Sequence, residues 1–168
     1  MSVFKPTYNA RKVTEITGEF LIKNNFHGII LDIDDTLVPH GYPTPDQNIL
    51  EWMDKLKKFG IKIILVSNNF KNRVAKFAEQ LNLTYISMGL KPLPFGIKKA
   101  VKKLEIPSNE ILVIGDQIFT DITGANFLKM KSVLVDPVSP SKTVLLKIKR
   151  FLERPIRKKL NLKYNSFN

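Results

Sequence analysis

The 168-residue sequence contains no cysteine, so it can form neither a disulfide nor a thiolate metal site. It has no apolar run of the ~18 residues that a membrane-spanning helix needs. Residues 1–6 also lack the apolar region of a signal peptide. These absences suit the reducing cytoplasm, where we expect the protein, with peripheral association at a membrane surface left open. The length and a hydrophobic content of 43% suit a domain with a sizeable core.

Acidic residues are scarce compared with basic ones. The sequence has 15 Asp and Glu against 27 Lys and Arg, which gives a formal net charge of +12. Much of the excess lies after residue 140, where nine basic residues accompany a single acid, Glu153. Such a balance suits nucleic acid, an anionic membrane surface or an anionic substrate. Charge alone does not select among these partners.

Short apolar segments alternate with amphipathic segments of helical length. Five strands are predicted, the first beginning at Gly28 and the others at residues 61–66, 83–88, 111–114 and 132–135. This alternation predicts an α/β fold in which an open, doubly wound, five-stranded parallel sheet is covered on both faces. We expect residues 1–138 to form this core with an N-terminal extension. Residues 139–168 are expected to form a basic, amphipathic helical tail.

Polar side chains interrupt the apolar pattern where the strands end. They are Asp32, Asp34 and Thr36 after the first strand, Ser67 and Asn68 after the second, Lys91 after the third, and Asp116 after the fourth. Ligands of open parallel sheets bind at the carboxyl ends of the strands, so we expect these groups to converge. Asp32 and Asp34 should leave the strand on the same side, because strand side chains repeat every two residues. The alternative for residues 32–36 is a solvated acidic turn.

This set of groups suits phosphate chemistry. Carboxylates are the oxygen ligands that Mg²⁺ prefers. Hydroxyl, ammonium and backbone N–H groups suit phosphate oxygens, and a carboxylate beside them can act as a nucleophile that forms an aspartyl phosphate.

The sequence resembles the haloacid dehalogenase superfamily of phosphohydrolases. Four motifs, each after its own predicted strand, carry the resemblance: Asp-x-Asp-x-Thr at residues 32–36, Val-Ser-Asn at 66–68, Lys91, and Gly-Asp-Gln with Asp121 at 115–121. They span most of the chain and occur in the order of the superfamily. Asp35, inside the first motif, is expected to be a solvated loop residue.

The resemblance implies a role for each matched residue. Asp32 attacks phosphorus, and Asp34 acts first as an acid and then as a base. The phosphoryl group is bound by Ser67, Asn68 and Lys91. Mg²⁺ is held by Asp32, Asp116 and the backbone carbonyl of Asp34. Thr36 steadies the loop, and Asp121 supports the metal's waters or orients Lys91.

The spacing of the motifs leaves no room for the cap domain that many members with small substrates carry. Residues 38–65 and 70–89 each hold only loop, helix and strand segments. An open site suits a bulky substrate, such as a lipid headgroup, a nucleic-acid end or a protein. The pattern is closest to the bacterial YqeG-like group and the related phosphatidylglycerophosphate phosphatases, which implies this phospholipid as the substrate.

The tail leaves two interpretations open. Its helix is predicted to start at Ser139-Pro140, and Pro155 should break or kink it. Apolar residues recur at helical spacing among basic ones: Val144, Leu145, Ile148, Phe151 and Leu152. Such a helix can lie in an anionic membrane surface. Alternatively, the apolar residues pack on the domain while the lysines stay solvated.

Other functions also remain open. They are a phosphatase of soluble sugar or nucleotide phosphates, a phosphatase of nucleic-acid ends, and a phosphate-binding regulatory module. A nucleic-acid partner is disfavoured, because no basic groove with interleaved aromatic residues is evident outside the tail. The sequence does not indicate an oligomeric state.

Overall fold

The computed structural model describes residues 2–139 and 143–167, apart from the side chain of Leu145. Its strands are β1 Tyr8–Ala10, β2 Gly28–Leu31, β3 Lys62–Val66, β4 Thr84–Ile86, β5 Ile111–Gly115 and β6 Lys131–Val135. Its helices are α1 Gly18–Lys23, α2 Gln47–Lys58, α3 Lys71–Gln80, α4 Phe95–Leu104, α5 Thr123–Phe127 and α6 Val144–Leu160. Short helical turns lie at Val13–Glu15 and Ser108–Glu110, and a π-helical turn at Ile118–Ile122 precedes α5.

The strands form one sheet in the order β1-β6-β5-β2-β3-β4, and every pairing is parallel. The predicted α/β class with a parallel sheet is confirmed, but the predicted number of strands is one too low. The missed strand, β1, lies at the edge of the sheet, where Tyr8 is opposite Val133 in β6. A three-residue strand is too short to show the alternation on which strand prediction depends.

Strand β2 shows why the sheet is covered on both faces. Its four residues are all buried. Ile29 and Leu31 belong to the apolar cluster that includes residues of α2 and α3, whereas Ile30 belongs to the cluster that includes residues of α4. Because successive strand residues point to opposite faces, a strand between two helical layers must be apolar throughout. Each such side chain, fully buried, contributes about 1.5–3 kcal/mol to stability.

The connections reverse direction at β2 and β5, which are neighbours in the sheet. From this pair, β3 and β4 lie on one side, and β6 and β1 lie on the other. Ligands of open α/β sheets bind in the crevice at such a switch point, at the carboxyl ends of the strands. Asp32 directly follows β2, and Asp116 directly follows β5. The fold therefore places two of the predicted site residues on either side of one crevice.

Helix α6 runs without interruption from Val144 to Leu160, and the side chain of Thr143 caps it by accepting the N–H of Leu146. The expectation that Pro155 would break the helix was wrong. Pro155 lies on the exposed side, where water can satisfy the carbonyl group that the proline leaves without a donor. The predicted helix start at Ser139-Pro140 falls partly on Pro140, which lies outside the described residues. Within the described part of the chain, no helix is long and apolar enough to cross a membrane.

Candidate active site

Three buried carboxylates meet at the carboxyl edge of the sheet. Asp32, Asp116 and Asp121 each offer an oxygen atom, and these atoms lie within 4.8 Å of one another. The π-helical turn Ile118–Ile122 brings Asp121 back over the end of β5. Gly115 allows this approach, because a Cβ atom at this position would overlap the Asp121 carboxyl group. The structure thus brings Asp32 and Asp116 together, as expected, and adds Asp121 to the cluster.

Lys91 lies between two of these carboxylates. Its Nζ donates to Asp32 Oδ1 and to Asp121 Oδ1, both at 2.6 Å, and the side chain is buried. Asn68 holds the Lys91 backbone through two hydrogen bonds. Asn68 Nδ2 donates to the Lys91 carbonyl at 2.9 Å, and Asn68 Oδ1 accepts the Lys91 N–H at 2.8 Å. The geometry therefore gives Asn68 a part in positioning Lys91, and its contact with substrate stays a prediction.

Two hydroxyl groups line the same crevice. Thr36 Oγ1 lies 3.2 Å from Asp32 Oδ2 and 3.3 Å from Asp116 Oδ1, so it bridges the two carboxylates. Ser67, at the end of β3, is buried, and its Oγ accepts the N–H of Asn69 at 3.1 Å. A serine hydroxyl that accepts one bond can still donate its proton, as a contact with a phosphoryl oxygen requires.

Asp34 has a separate set of partners. Its Oδ1 accepts from Arg73 Nη2 at 2.6 Å and from the Gly41 N–H at 3.2 Å, and its Oδ2 accepts from Asn69 Nδ2 at 3.1 Å. The expectation that Asp32 and Asp34 share a strand face was wrong, because β2 ends at Leu31, before either residue. The metal contact of the Asp34 backbone carbonyl stays a prediction.

The pKa of Asp34 lies below its ordinary value. Burial raises this pKa, but the hydrogen bonds from Arg73, from Asn69 and from the Gly41 N–H lower it by more. The carboxylate form of Asp34 is therefore favoured in the free protein.

Asp35 is buried, so the expectation of a solvated loop residue was wrong. Its Oδ1 accepts the His40 N–H at 3.0 Å and the Ser139 hydroxyl at 3.1 Å. Its backbone has a φ of 62°, in the left-handed region that Asp tolerates better than most residues. Asp35 thus organises the turn that follows Asp32.

Sequence reasoning missed three arginines that contact the predicted acids. Arg73 binds Asp34, as described above. Arg150 Nη1 donates to the Asp116 carbonyl at 3.0 Å, and its Nη2 donates to the Asp116 carboxylate. Arg157 Nη2 donates to the same carbonyl at 2.8 Å. The available signal was the seven-residue spacing of Arg150 and Arg157, which places them on one face of a helix.

The carboxylate cluster is short of positive charge. Burial raises the pKa of Asp32 well above its ordinary value, although Lys91 lowers it. Burial also raises the pKa of Asp116 to about 7, although Arg150 lowers it. Asp121 and Asp32 raise the pKa of Lys91 and outweigh the opposing effect of burial, so the ammonium stays charged.

This charge balance fits a divalent cation. The three carboxylates carry more negative charge than Lys91 and Arg150 can neutralise, and they offer only oxygen atoms as ligands. A hard cation such as Mg²⁺ prefers oxygen ligands and would offset the surplus. The donor set of Asp32, Asp116 and Asp121 is therefore suited to such an ion.

Comparison with known proteins identifies relatives over most of the chain. The family model described as haloacid dehalogenase-like hydrolase matches residues 40–127. The chain is 36% identical over 160 residues to the "Probable phosphatase YqeG" of Bacillus subtilis strain 168, and this alignment covers 95% of the chain and 93% of that protein.

Solved structures resemble the chain in fold. The cobalt-bound deoxy-D-mannose-octulosonate 8-phosphate phosphatase of Haemophilus influenzae has a TM-score of 0.57 at 13% identity, over 84% of this chain and 92% of that one. An uncharacterized protein from Listeria monocytogenes serotype 4b has a TM-score of 0.54 at 18% identity, over 80% of this chain and 99% of that one. At these identities the likeness concerns the fold alone.

Proposed function

This chain belongs to the haloacid dehalogenase-like hydrolases and is a phosphatase, and we propose that it hydrolyses phosphomonoesters with Mg²⁺ through an aspartyl phosphate on Asp32. The observation that carries the proposal is the position of the Asp32 carboxylate. It lies in the crevice, 2.6 Å from the Lys91 ammonium and within the carboxylate cluster. A carboxylate so placed can attack phosphorus while neighbouring cations offset the charge of the phosphoryl oxygens.

The proposed reaction has two displacements at phosphorus. In the first, Asp34 has taken up a proton from solvent, because its carboxylate form is favoured in the free protein. An Asp32 oxygen bonds to phosphorus, the ester P–O bond breaks, and Asp34 gives this proton to the leaving alkoxide. In the second, Asp34 takes a proton from a water molecule whose oxygen bonds to phosphorus. The bond between phosphorus and Asp32 then breaks, which releases inorganic phosphate and restores both carboxyl groups.

The remaining groups bind and orient the substrate. Lys91 and Ser67 hold phosphoryl oxygens, and Asp121 keeps the Lys91 ammonium at the crevice through its 2.6 Å contact. Asp32, Asp116 and the Asp34 carbonyl would hold Mg²⁺, and Asp121, the third carboxylate of the cluster, would support its waters. The ion supplies positive charge to the phosphoryl oxygens when bound. Thr36 keeps the Asp32 and Asp116 carboxylates in a fixed relation through its bridging hydroxyl.

We further propose phosphatidylglycerophosphate as the substrate, with its terminal phosphate as the group removed. Support comes from the short connections between the strands that carry the site. Over residues 28–93, all of which are described, β2 and β3 are joined by a loop and α2, and β3 and β4 are joined by α3. No inserted domain therefore covers the site in this range, as suits a bulky headgroup. The motif pattern around Asp32, Ser67 and Lys91 also resembles that of phosphatases of this lipid.

The test is phosphate release from phosphatidylglycerophosphate in mixed micelles, beside a panel of soluble sugar and nucleotide monoesters, with Mg²⁺ or with EDTA. Asp32→Asn keeps the size of the side chain and removes the nucleophile. Asp54→Asn, at an exposed position of α2, is the matched control. We expect Mg²⁺-dependent turnover of the lipid that Asp32→Asn abolishes and Asp54→Asn retains.

Other outcomes would contradict specific parts of the proposal. Lipid turnover no greater than that of Asp32→Asn, together with fast turnover of a soluble monoester, would replace the lipid by a soluble substrate. Equal turnover by Asp32→Asn and the unaltered protein would contradict the covalent mechanism. Mass spectrometry of acid-quenched protein provides a direct check, because the proposal places the trapped phosphate on Asp32.

A further inference from the structure

An ordinary surface helix turns its apolar side to the core, but helix α6 turns mainly charged residues to the domain, together with the apolar residues Leu146 and Ile156. Its charged residues Arg150, Glu153 and Arg157 face the domain. Glu153 is buried, and its Oε1 accepts the N–H of Phe119 at 3.2 Å. The two arginines bind Asp116, at the crevice.

Large apolar side chains cover the opposite side of the helix. They are 51–72% exposed, and we call them the outer face of α6: Val144, Ile148, Phe151 and Leu152. The interpretation in which the apolar side of the tail packs on the domain is therefore wrong for these four residues, and for Leu145 it concerns a side chain outside the described part of the structure. Grouped apolar side chains that remain exposed mark an interaction surface.

Exposed cations border the outer face. With about 100° of rotation per residue, Lys147, Arg154 and Lys158 lie along one border of it, and Lys159 lies in line with it, nearer the C-terminal end of the helix. The single acid of α6, Glu153, points inward. An apolar stripe bordered by cations is typical of helices that lie in the plane of an anionic membrane.

A second apolar group lies on the other flank of the crevice. Its members are 50–75% exposed and follow β3 or β4, next to Ser67 and Lys91: Phe70, Met88, Leu90, Leu93 and Phe95. Because they follow parallel strands, these residues belong to the same edge of the sheet as Asp116, which α6 contacts. The crevice thus lies between two exposed apolar groups.

We propose that this edge of the protein docks on an anionic lipid bilayer, with the outer face of α6 at the level of the headgroups and the crevice open toward them. The bordering cations favour an anionic bilayer over an apolar protein surface as the occupant. Docking would give the crevice access to a phosphorylated lipid in the bilayer, and this consequence for catalysis rests on the proposed function. Binding of the protein to the bilayer does not depend on the proposed function.

The test compares two double variants that change the same residue types. Ile148→Ser with Phe151→Ser alters the outer face, where these side chains are 51% and 67% exposed. Ile22→Ser with Phe127→Ser alters side chains that are 42% and 53% exposed, near the ends of α1 and α5 that lead into β2 and β6. The control pair therefore lies toward the opposite edge of the sheet. Thermal unfolding verifies that both variants are folded.

The binding measurement is sedimentation with vesicles, in an Asp32→Asn background, so that catalysis does not change the lipid. We expect the protein to bind vesicles of phosphatidylcholine with phosphatidylglycerol, to bind pure phosphatidylcholine weakly, and to lose binding as salt rises. The outer-face variant should bind more than about tenfold less, because two apolar side chains no longer leave water. The control variant should bind as the parent protein does.

Three results would overturn the proposal: no binding of the parent protein to anionic vesicles, equal binding by the outer-face and control variants, or a dimer in ultracentrifugation that only the outer-face variant abolishes. The last would mean that a second copy of the chain covers this face. With an intact Asp32, the outer-face variant should keep turnover of a soluble monoester and lose turnover of the lipid in vesicles. If no substrate is turned over, the proposed function fails. The vesicle measurement still decides whether the protein docks on a bilayer.

Discussion

Lys91→Met should destabilise the metal-free protein strongly. The substitution keeps a long, unbranched side chain and removes the ammonium that lies 2.6 Å from both Asp32 and Asp121. Two carboxylates are then left buried beside Asp116 without that charge. Removing one partner of a buried ion pair costs about 3–5 kcal/mol. In a chain of 168 residues, each kcal/mol changes Tm by about 2–4 °C, so we expect Tm to fall by roughly 6–20 °C.

The assay is thermal unfolding followed by circular dichroism in EDTA. Lys99→Met, at an exposed position of α4, is the matched control and should change stability by less than about 0.5 kcal/mol. Adding Asp121→Asn to Lys91→Met removes one of the stranded carboxylates and should recover part of the loss. Mg²⁺ should raise Tm more in Lys91→Met than in the unaltered protein, because it offsets the same charges.

The reasoning would be refuted by a loss below about 1 kcal/mol in Lys91→Met, a size typical of exposed ion pairs. It would also be refuted if the effects of Lys91→Met and Asp121→Asn simply added, because residues in direct ionic contact should be coupled by about 0.5–3 kcal/mol.

Two further predictions concern protonation. Burial raises the pKa of Asp116 from 3.8 to about 7, so in this pH window the folded protein binds a proton that the unfolded chain does not. The free energy of unfolding without metal should therefore fall as pH rises through this window, and urea titrations in EDTA should show this in the unaltered protein and much less in Asp116→Asn. Arg73→Met removes a hydrogen bond that lowers the pKa of Asp34, so the proposed acid should keep its proton to higher pH. The alkaline limb of the kcat/KM profile should then move to higher pH, and an unchanged profile would mean that the contact is absent from the working enzyme.

The sheet and the crevice could be predicted because both depend on patterns local to each strand. Continuous apolar runs specify strands buried on two faces, and a polar residue directly after such a run, as at Asp32 or Asp116, marks the end of the strand. Parallel pairing then brings the strand ends together without any knowledge of long-range contacts. Lys91, in the loop after β4, reaches the crevice for the same reason.

The membership of the carboxylate cluster could not be predicted in the same way. Beyond the last strand residue, the direction of a side chain is set by the conformation of the turn and not by the alternation of the strand. Asp34 accordingly turns to Arg73, whereas Asp121 enters the cluster through a π-helical turn. A π-helical turn has no periodic pattern of apolar residues by which it could be recognised in the sequence. Arg73 comes from α3, and only the folded structure shows that its guanidinium reaches Asp34.

Helical periodicity reveals that α6 has an apolar and a polar face, but not which of them meets the domain. The usual rule assigns the apolar face to the core. In this protein the neighbouring surface is the loop after β5, which carries the buried carboxylate of Asp116 and its carbonyl acceptor. Hydrogen bonds from guanidinium groups to such acceptors are stronger than bonds between neutral groups. The polar face of α6 therefore finds partners there that the apolar face could not use.

The inward orientation of α6 does not depend on the carboxylate that would bind the metal. A divalent cation held by Asp116 would share the negative charge of that carboxylate with the Arg150 guanidinium, so loading the site would weaken that one contact. Three other contacts of the inner face avoid the carboxylate: the bonds from Arg150 and Arg157 to the Asp116 carbonyl, at 3.0 Å and 2.8 Å, and the bond from the Phe119 N–H to Glu153. These contacts can persist when the cluster is occupied. The outer face of α6 can therefore stay exposed, and available to a bilayer, when the carboxylate cluster holds a cation.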